Sequence, residues 1–240
     1  MLLLCLRAPF AAFRPFTAGW YRPTAGFLTP SAAYGLALNF AGEETRHDDG
    51  SSAMTVTRSG LPSARIAIGA DPAYPLPTIQ TIFQQLHNYP VGASGKERKE
   101  DAKGSKYNIT PVRREFLSGL HAVVALDFPD HPTIEDQIRE GLAGQHARKG
   151  TRYGLPFLGD NAFLPDKVEI LDKPTPVRWY RRLDSDGGSV RDSTRLTIWI
   201  DRQDMSKTRS ALFAPDLDFQ ASSEIPETAW TLIKPPLAIA

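Results

Sequence analysis

Leu2-Leu3-Leu4-Cys5-Leu6-Arg7-Ala8-Pro9-Phe10 and the later block Phe27-Leu28-Thr29-Pro30-Ser31-Ala32-Ala33-Tyr34-Gly35-Leu36 decide how the amino half of the chain folds. Arg7 and Pro9 cut the first apolar run below the length of a secretory leader and no basic residue precedes it, so it reads as a strand. In the second block a hydroxyl residue directly after a proline opens an Ala/Leu-rich stretch. This predicts a helix over 31–42, with Ser31 as its N-cap and Gly42 near its C-terminal end. The connection holds Arg7, Arg14 and Arg22 together with Phe10, Phe13, Trp20 and Tyr21. One reading makes Leu3, Phe10, Phe13, Leu36 and Phe40 core and the arginines solvated surface. The other makes the segment a seat for single-stranded nucleic acid: a helix N-terminus favours phosphate, and rings and guanidinium planes stack on unpaired bases.

Outward from this start, strand-like runs follow at 54–57 and 64–69, with an ambiguous run at 78–87. Glu115 to Asp127 alternates and then becomes continuously apolar, as a buried central strand does. Thr133-Ile134-Glu135-Asp136 places a hydroxyl and two acids ahead of an amphipathic helix that sets Ile134, Ile138 and Leu142 on one face. The stretch 152–171 then returns to the sheet. Strand, helix, two strands with an insertion between them, helix and returning strand make an α+β fold, a ferredoxin-like βαββαβ unit over 1–173. From about Pro174 a smaller β-rich region (174–240) offers runs at 177–183, 195–200 and 230–233, with a Gly187-Gly188 turn.

With 240 residues, 41% of them hydrophobic, the chain can bury a substantial core. Its lone cysteine, Cys5, rules out an intrachain disulfide and fits a small buried hydrophobe in a reducing, cytoplasmic setting. No stretch approaches the roughly 18 apolar residues of a membrane helix. The net charge of +1 hides an uneven distribution. Lys96, Arg98, Lys99, Lys103, Lys106, Arg113 and Arg114 outnumber Glu97, Glu100 and Asp101, and further basic stretches are Arg148-Lys149-Arg152 and Arg178-Arg181-Arg182. The 96–103 part, interspersed with Gly and Ser, reads as a solvated loop. Tyr107 to Arg114 instead combines aromatic, amide, hydroxyl and guanidinium groups beside a β-like run. The P-loop, Gly-x-Ser-x-Gly and His-Glu-x-x-His patterns are missing, and one Cys with five dispersed His gives no zinc spacing. Arg46-His47-Asp48-Asp49 resembles a fragment of a metal-nuclease cluster but lies in a polar loop without a partner histidine nearby.

Taken in order, the opening segment resembles the N-terminus of the CRISPR-associated Cas-five family. Lys106-Tyr107-Asn108-Ile109-Thr110-Pro111-Val112-Arg113-Arg114-Glu115-Phe116-Leu117, Gly154-Leu155-Pro156-Phe157-Leu158-Gly159-Asp160-Asn161 and Thr208-Arg209-Ser210-Ala211-Leu212-Phe213 continue the likeness, most closely to its DevS-like (myxobacterial-type) branch. The resemblance implies an RNA-recognition-type fold with a thumb projecting between the middle strands, placed at about 86–114. It also implies a non-catalytic subunit of a type I Cascade complex that caps the 5′ handle of the guide RNA (crRNA). Its partners would be the backbone (Cas-seven) subunit, the large subunit and, indirectly, target DNA, and no cofactor or metal is called for. The residues expected on RNA are Arg7, Phe13, Arg14, Tyr21, Arg22, Ser31 and Tyr34 from the amino end, and Lys106, Tyr107, Asn108, Thr110, Arg113 and Arg114 at the thumb. One branch of the family processes precursor guide RNA with a Tyr, Lys and His set. Here Tyr34 and His121 are present, no Lys adjoins His121, and its neighbours Leu120 and Ala122 favour a core histidine. A processing endoribonuclease and a generic RNA-binding module are the alternatives.

Overall fold

The computed structural model describes residues 1–15, 21–48, 50, 55–90, 107–145, 154–183, 190–202 and 204–235, with the backbone alone described at 86–90 and 107–111. Strand β1 (Leu2–Ala11) follows the apolar run quoted above and buries Leu2, Leu4, Leu6 and Ala8 against the helices. After the short β2 (Tyr21–Arg22), helix α1 (Pro30–Ala41) begins one residue earlier than the sequence suggests. Thr29, not Ser31, is its N-cap, and the Thr29 Oγ1 accepts the Ala32 N–H at 3.2 Å. The reason is chemical: Pro30 has no N–H to satisfy and a φ suited to the first helical turn, which leaves the preceding hydroxyl to cap. Gly42 closes the helix at φ +75°, a left-handed value that costs a glycine little.

Next come β3 (Arg46–His47) and β4 (Val56–Thr57), a small separate ribbon, and then β5 (Ala64–Ala70), β6 (Thr78–Pro90) and β7 (Tyr107–Asp127). Helix α2 (Thr133–Leu142) buries Ile134 and Ile138. Thr133 is its first residue and not its cap; Pro132 precedes it and no side chain caps the end. At the other end of α2, Gly141 lies so close to α1 that an added Cβ would stand 1.9 Å from the Phe40 carbonyl oxygen. β8 (Lys167–Ile170) returns to the sheet along β1. The lateral order β8-β1-β7-β5, antiparallel throughout, is the ferredoxin-like 4-1-3-2 arrangement, with both helices packed on one face.

The carboxyl-terminal strands β9 (Pro176–Arg182), β10 (Thr194–Trp199), β11 (Arg209–Pro215), β12 (Gln220–Ala221) and β13 (Thr231–Ile233) extend this sheet. β9 joins β5 at Gly69↔Trp179 and Ala70↔Arg178, while β13 takes the other end of β5. An added Cβ on Gly69 would lie 2.3 Å from Val177 Cγ1, so β9 seats its side chains only against a glycine. Tyr180 stacks on Phe27 at 4.3 Å, and Leu196, Trp199, Phe213 and Ile233 share one core with β1 and α1. On the helix-free face a second cluster of Ala67, Val123, Ala125, Val177, Trp179 and Ala229 covers the end of the sheet near Leu3. Among the described residues no helix is long and apolar enough to cross a membrane.

The insertion between the middle strands is a long hairpin. β6 pairs with the first half of β7 from Thr78↔Ser118 to Pro90↔Tyr107, so its described arms begin at Thr78 and not at Leu86. Gly119, at φ +72°, marks the joint between Ser118, the last residue paired to β6, and Ala122, the first paired to β5. The inward positions run Leu126, Val124, Ala122 and Leu120, then jump to Leu117. The change of parity at Gly119 turns the hairpin relative to the sheet.

Candidate nucleic-acid interface

At the base of this hairpin the loop 154–161 docks on the end of β1. Ala12 N–H donates to the Leu158 carbonyl at 3.0 Å, and Gly159, at φ +76°, comes so close that a Cβ would stand 2.0 Å from the Ala12 oxygen. The turn presents Asp160 to two arginines from distant parts of the chain. Arg14 Nη2 reaches it at 2.7 Å, and Arg114, only 7% exposed, forms an ion pair with the same oxygen. Burial pushes the Asp160 carboxyl up, but the Ala162 N–H and the two guanidinium groups outweigh it and hold the carboxyl below its ordinary range. Arg114 also donates to Gln84 Oε1 at 3.2 Å and lies 5.1 Å from the Phe163 ring centroid. Phe163 completes an aromatic cluster with Phe10 and Phe116, the latter two edge to face at 5.4 Å.

A second group sits higher on the hairpin. β2 runs parallel to β7 and sets Tyr21 beside Arg113 and Arg22 beside Arg114. The Tyr21 hydroxyl donates to Glu115 Oε1 at 2.5 Å, a bond that raises its pKa, while the Arg113 guanidinium stands 5.2 Å from the ring centroid. Phe83 is directly across the hairpin from Arg113 and is 81% exposed; Tyr21 is 47% exposed. Ile79 and Ile82 on the same arm are exposed too. Two exposed rings flanking an exposed guanidinium have the chemistry on which unpaired bases can stack.

Of the residues singled out in the sequence, Arg14, Tyr21, Arg22, Arg113 and Arg114 come together at this hairpin, although Arg114 is turned inward onto Asp160. Tyr107, Asn108 and Thr110 lie on its outer arm opposite Pro90, Tyr89 and Leu86, and Lys106 lies outside the described residues. So do Trp20, the basic run 96–103, and Arg148, Lys149 and Arg152. Phe13 is buried in the core. Tyr34 is only 4% exposed, with its hydroxyl donating to the Pro62 carbonyl at 2.7 Å, because α1 is covered on nearly all sides. Burial raises the Tyr34 pKa. Ser31 stands in the first turn of α1, its hydroxyl 3.3 Å from that of Thr29. Arg7 lies in the sheet opposite His121. His121 is not a core residue: Leu120 and Ala122 point to the helices, so strand alternation turns it to the other face, half-buried under Tyr74. The sequence reading missed Phe83, Asp160, Phe163 and Tyr74. An aspartate in a Gly-Asp-Asn turn and a phenylalanine in an ambiguous run carry no local sign of the arginines they meet.

No protein-family model and no curated protein matches the sequence. Solved structures do. A chain of a "CRISPR RNA-guided surveillance complex" superposes with a TM-score of 0.52 at 17% identity, over 92% of this chain and 91% of that one. At that identity the likeness establishes a common fold over nearly the whole chain.

Proposed function

We propose that this chain is a non-catalytic RNA-binding subunit of a type I CRISPR Cascade complex, gripping the 5′ handle of the guide RNA and touching the backbone and large subunits. The observation that carries this reading is the projecting hairpin with its exposed Phe83–Arg113–Tyr21 surface, on a fold common to a guide-RNA complex subunit. Rings and a guanidinium take unpaired bases and phosphate together, which a structured single-stranded RNA end requires. The non-catalytic part of the reading is supported by the separation of Tyr34 and His121. Tyr34 is enclosed between α1 and the 62 region, and His121 is on the opposite face of the sheet. A base and an acid for cleavage of a 2′-hydroxyl-activated phosphodiester must both reach one phosphate.

The test is to purify the tagged chain from its native operon and sequence the RNA that comes with it. Guide RNAs sharing one 5′ end, lost in Arg113→Ala, support the proposal. RNA of random sequence favours a generic RNA-binding module. In a parallel incubation with repeat RNA, specific cleavage abolished by His121→Ala would replace the subunit reading with that of a processing endoribonuclease.

A further inference from the structure

We infer that the helix-free face of the sheet holds a second nucleotide of the same RNA, seated on Tyr74 and His121 and held by Arg7 and Lys167. The inference rests on the RNA-binding reading above but uses none of its residues on the hairpin. In the strand register Arg7 is directly opposite His121 on one side and Lys167 on the other. Residues directly opposite in a sheet point to the same face, with strands about 4.8 Å apart. Three nitrogen-bearing side chains from β7, β1 and β8 therefore stand in one row on the face the helices do not cover.

A turn after β5 lays a ring over this row. Asp71 N–H donates to the His121 carbonyl at 3.3 Å, Asp71 Oδ1 accepts the Ala73 N–H at 3.0 Å, and the Asp71 carbonyl accepts the Tyr74 N–H at 3.2 Å. Tyr74 thereby stacks on His121 with centroids 3.8 Å apart and planes within 6°, while Arg7 lies 5.2 Å from the Tyr74 centroid. The Tyr74 side chain is still 37% exposed. A flat ring held rigidly over an imidazole and a guanidinium is a base platform whose ordering has no further entropic cost.

Two observations point to a polar ligand on this row. His121 Nδ1 and Arg7 Nε are enclosed and meet no hydrogen-bond partner in the structure, whereas enclosed polar atoms are nearly always satisfied. The Cys5 thiol and the more distant Asp71 act on the Arg7 guanidinium, but no carboxylate lies within ion-pair distance of it among the described residues, and Lys167 pairs with Glu169 at 2.7 Å on an exposed edge. Burial and the neighbouring Arg7 lower the pKa of His121, against the opposing pull of Asp71, which favours the uncharged imidazole with one nitrogen donating and the other accepting. Toward Leu3 this face is closed by the Val123–Trp179 cluster. Toward the hairpin it continues through Ser118, Phe10 and Phe116, so an RNA strand leaving the row leads to the aromatic cluster at the hairpin base.

The experiment uses the full chain with repeat-derived RNA carrying 4-thiouridine at successive positions, followed by irradiation and identification of the crosslinked peptide. The expected result is one RNA position joined to the peptide bearing Tyr74 or His121 and a different position joined to the hairpin. Tyr74→Leu should weaken binding about tenfold and remove the first crosslink alone, while Tyr74→Phe keeps both. Arg7→Gln should weaken binding and lower the salt slope by about one. Melting temperatures establish that the variants fold; should Tyr74→Leu not fold, the wild-type crosslink map and Arg7→Gln decide. The inference is overturned if Arg113→Ala weakens binding while Tyr74→Leu and Arg7→Gln bind as wild type. It is overturned equally if every crosslink maps to the hairpin, or if UMP saturates the Tyr74 site without displacing RNA. Failure of the wild-type chain to bind any RNA would instead remove the proposed function itself.

Discussion

Strand β7 passes through two environments. From Leu120 to Asp127 it is a central strand with β1 and β5 on its edges, the helices on one face and, over Val123 and Ala125, the Trp179 cluster on the other. From Tyr107 to Ser118 it is the arm of a hairpin, held by β6, by two residues of β2 and, at its base, by Phe10 and Ala11 of β1, with the rings of Phe83 and Tyr21 open to solvent beside it. The first half gains its free energy from apolar area removed from water, so its side chains are worth kilocalories to folding. Beyond its base, where Leu117 joins the core and Phe116 packs on Phe10 and Phe163, the second half is held by backbone pairing and by one carboxylate between two arginines, and its exposed side chains contribute little to stability. A single strand thus carries the core and, one glycine away, the surface proposed for RNA.

The largest effect expected is in the palm half. Leu120→Ala removes a fully buried side chain and should cost about 2–5 kcal/mol in chemical denaturation. A cost below about 1 kcal/mol would erase the difference between the two halves. Asp160→Asn comes next. It leaves Arg114 enclosed beside a neutral group and should cost about 2 kcal/mol, with faster proteolysis of the hairpin. Because the folded carboxyl is held below its ordinary value, its contribution is complete above about pH 4 and is lost as pH falls through the depressed folded value. The gap between wild type and Asp160→Asn should therefore be flat from pH 7 to about 4 and close below that. A gap that closes near pH 6 would mean another group carries the contact.

Gly119→Ala separates the joint from both halves. No atom lies near the new methyl group, so its cost is that of a left-handed backbone, about 1 kcal/mol, and hydrogen exchange should show it in the hairpin before the palm. Uniform loosening of both would mean that the strand is one cooperative unit. Phe83→Ala should change stability by less than about 0.5 kcal/mol yet lower affinity for repeat RNA about tenfold. If it destabilises the fold and leaves binding unchanged, the exposed ring is a packing residue for something other than RNA.

Apolar periodicity alone is enough to place β1, α1, β5, the palm half of β7 and α2, since each buries a continuous or alternating face. It also supports the ferredoxin-like order, because the crossings that join such elements are few. The gathering of Tyr21, Arg22, Arg113 and Arg114 was visible as two cation-aromatic segments, although nothing in either segment says that they pair in parallel. Two things were decided only in three dimensions. Asp160 is 146 residues from Arg14 in sequence and 2.7 Å from it in space, and no local pattern encodes such a contact. His121 faces away from its core neighbours because the strand alternates, and whether the other face is covered depends on β9 and the Asp71 turn. The Thr29 cap, by contrast, is local: Pro30 fits the first helical turn and leaves the preceding hydroxyl to cap, which the sequence itself contains. Local chemistry writes the elements into the sequence; side chains that meet across the sheet acquire their roles only when the chain has closed around them.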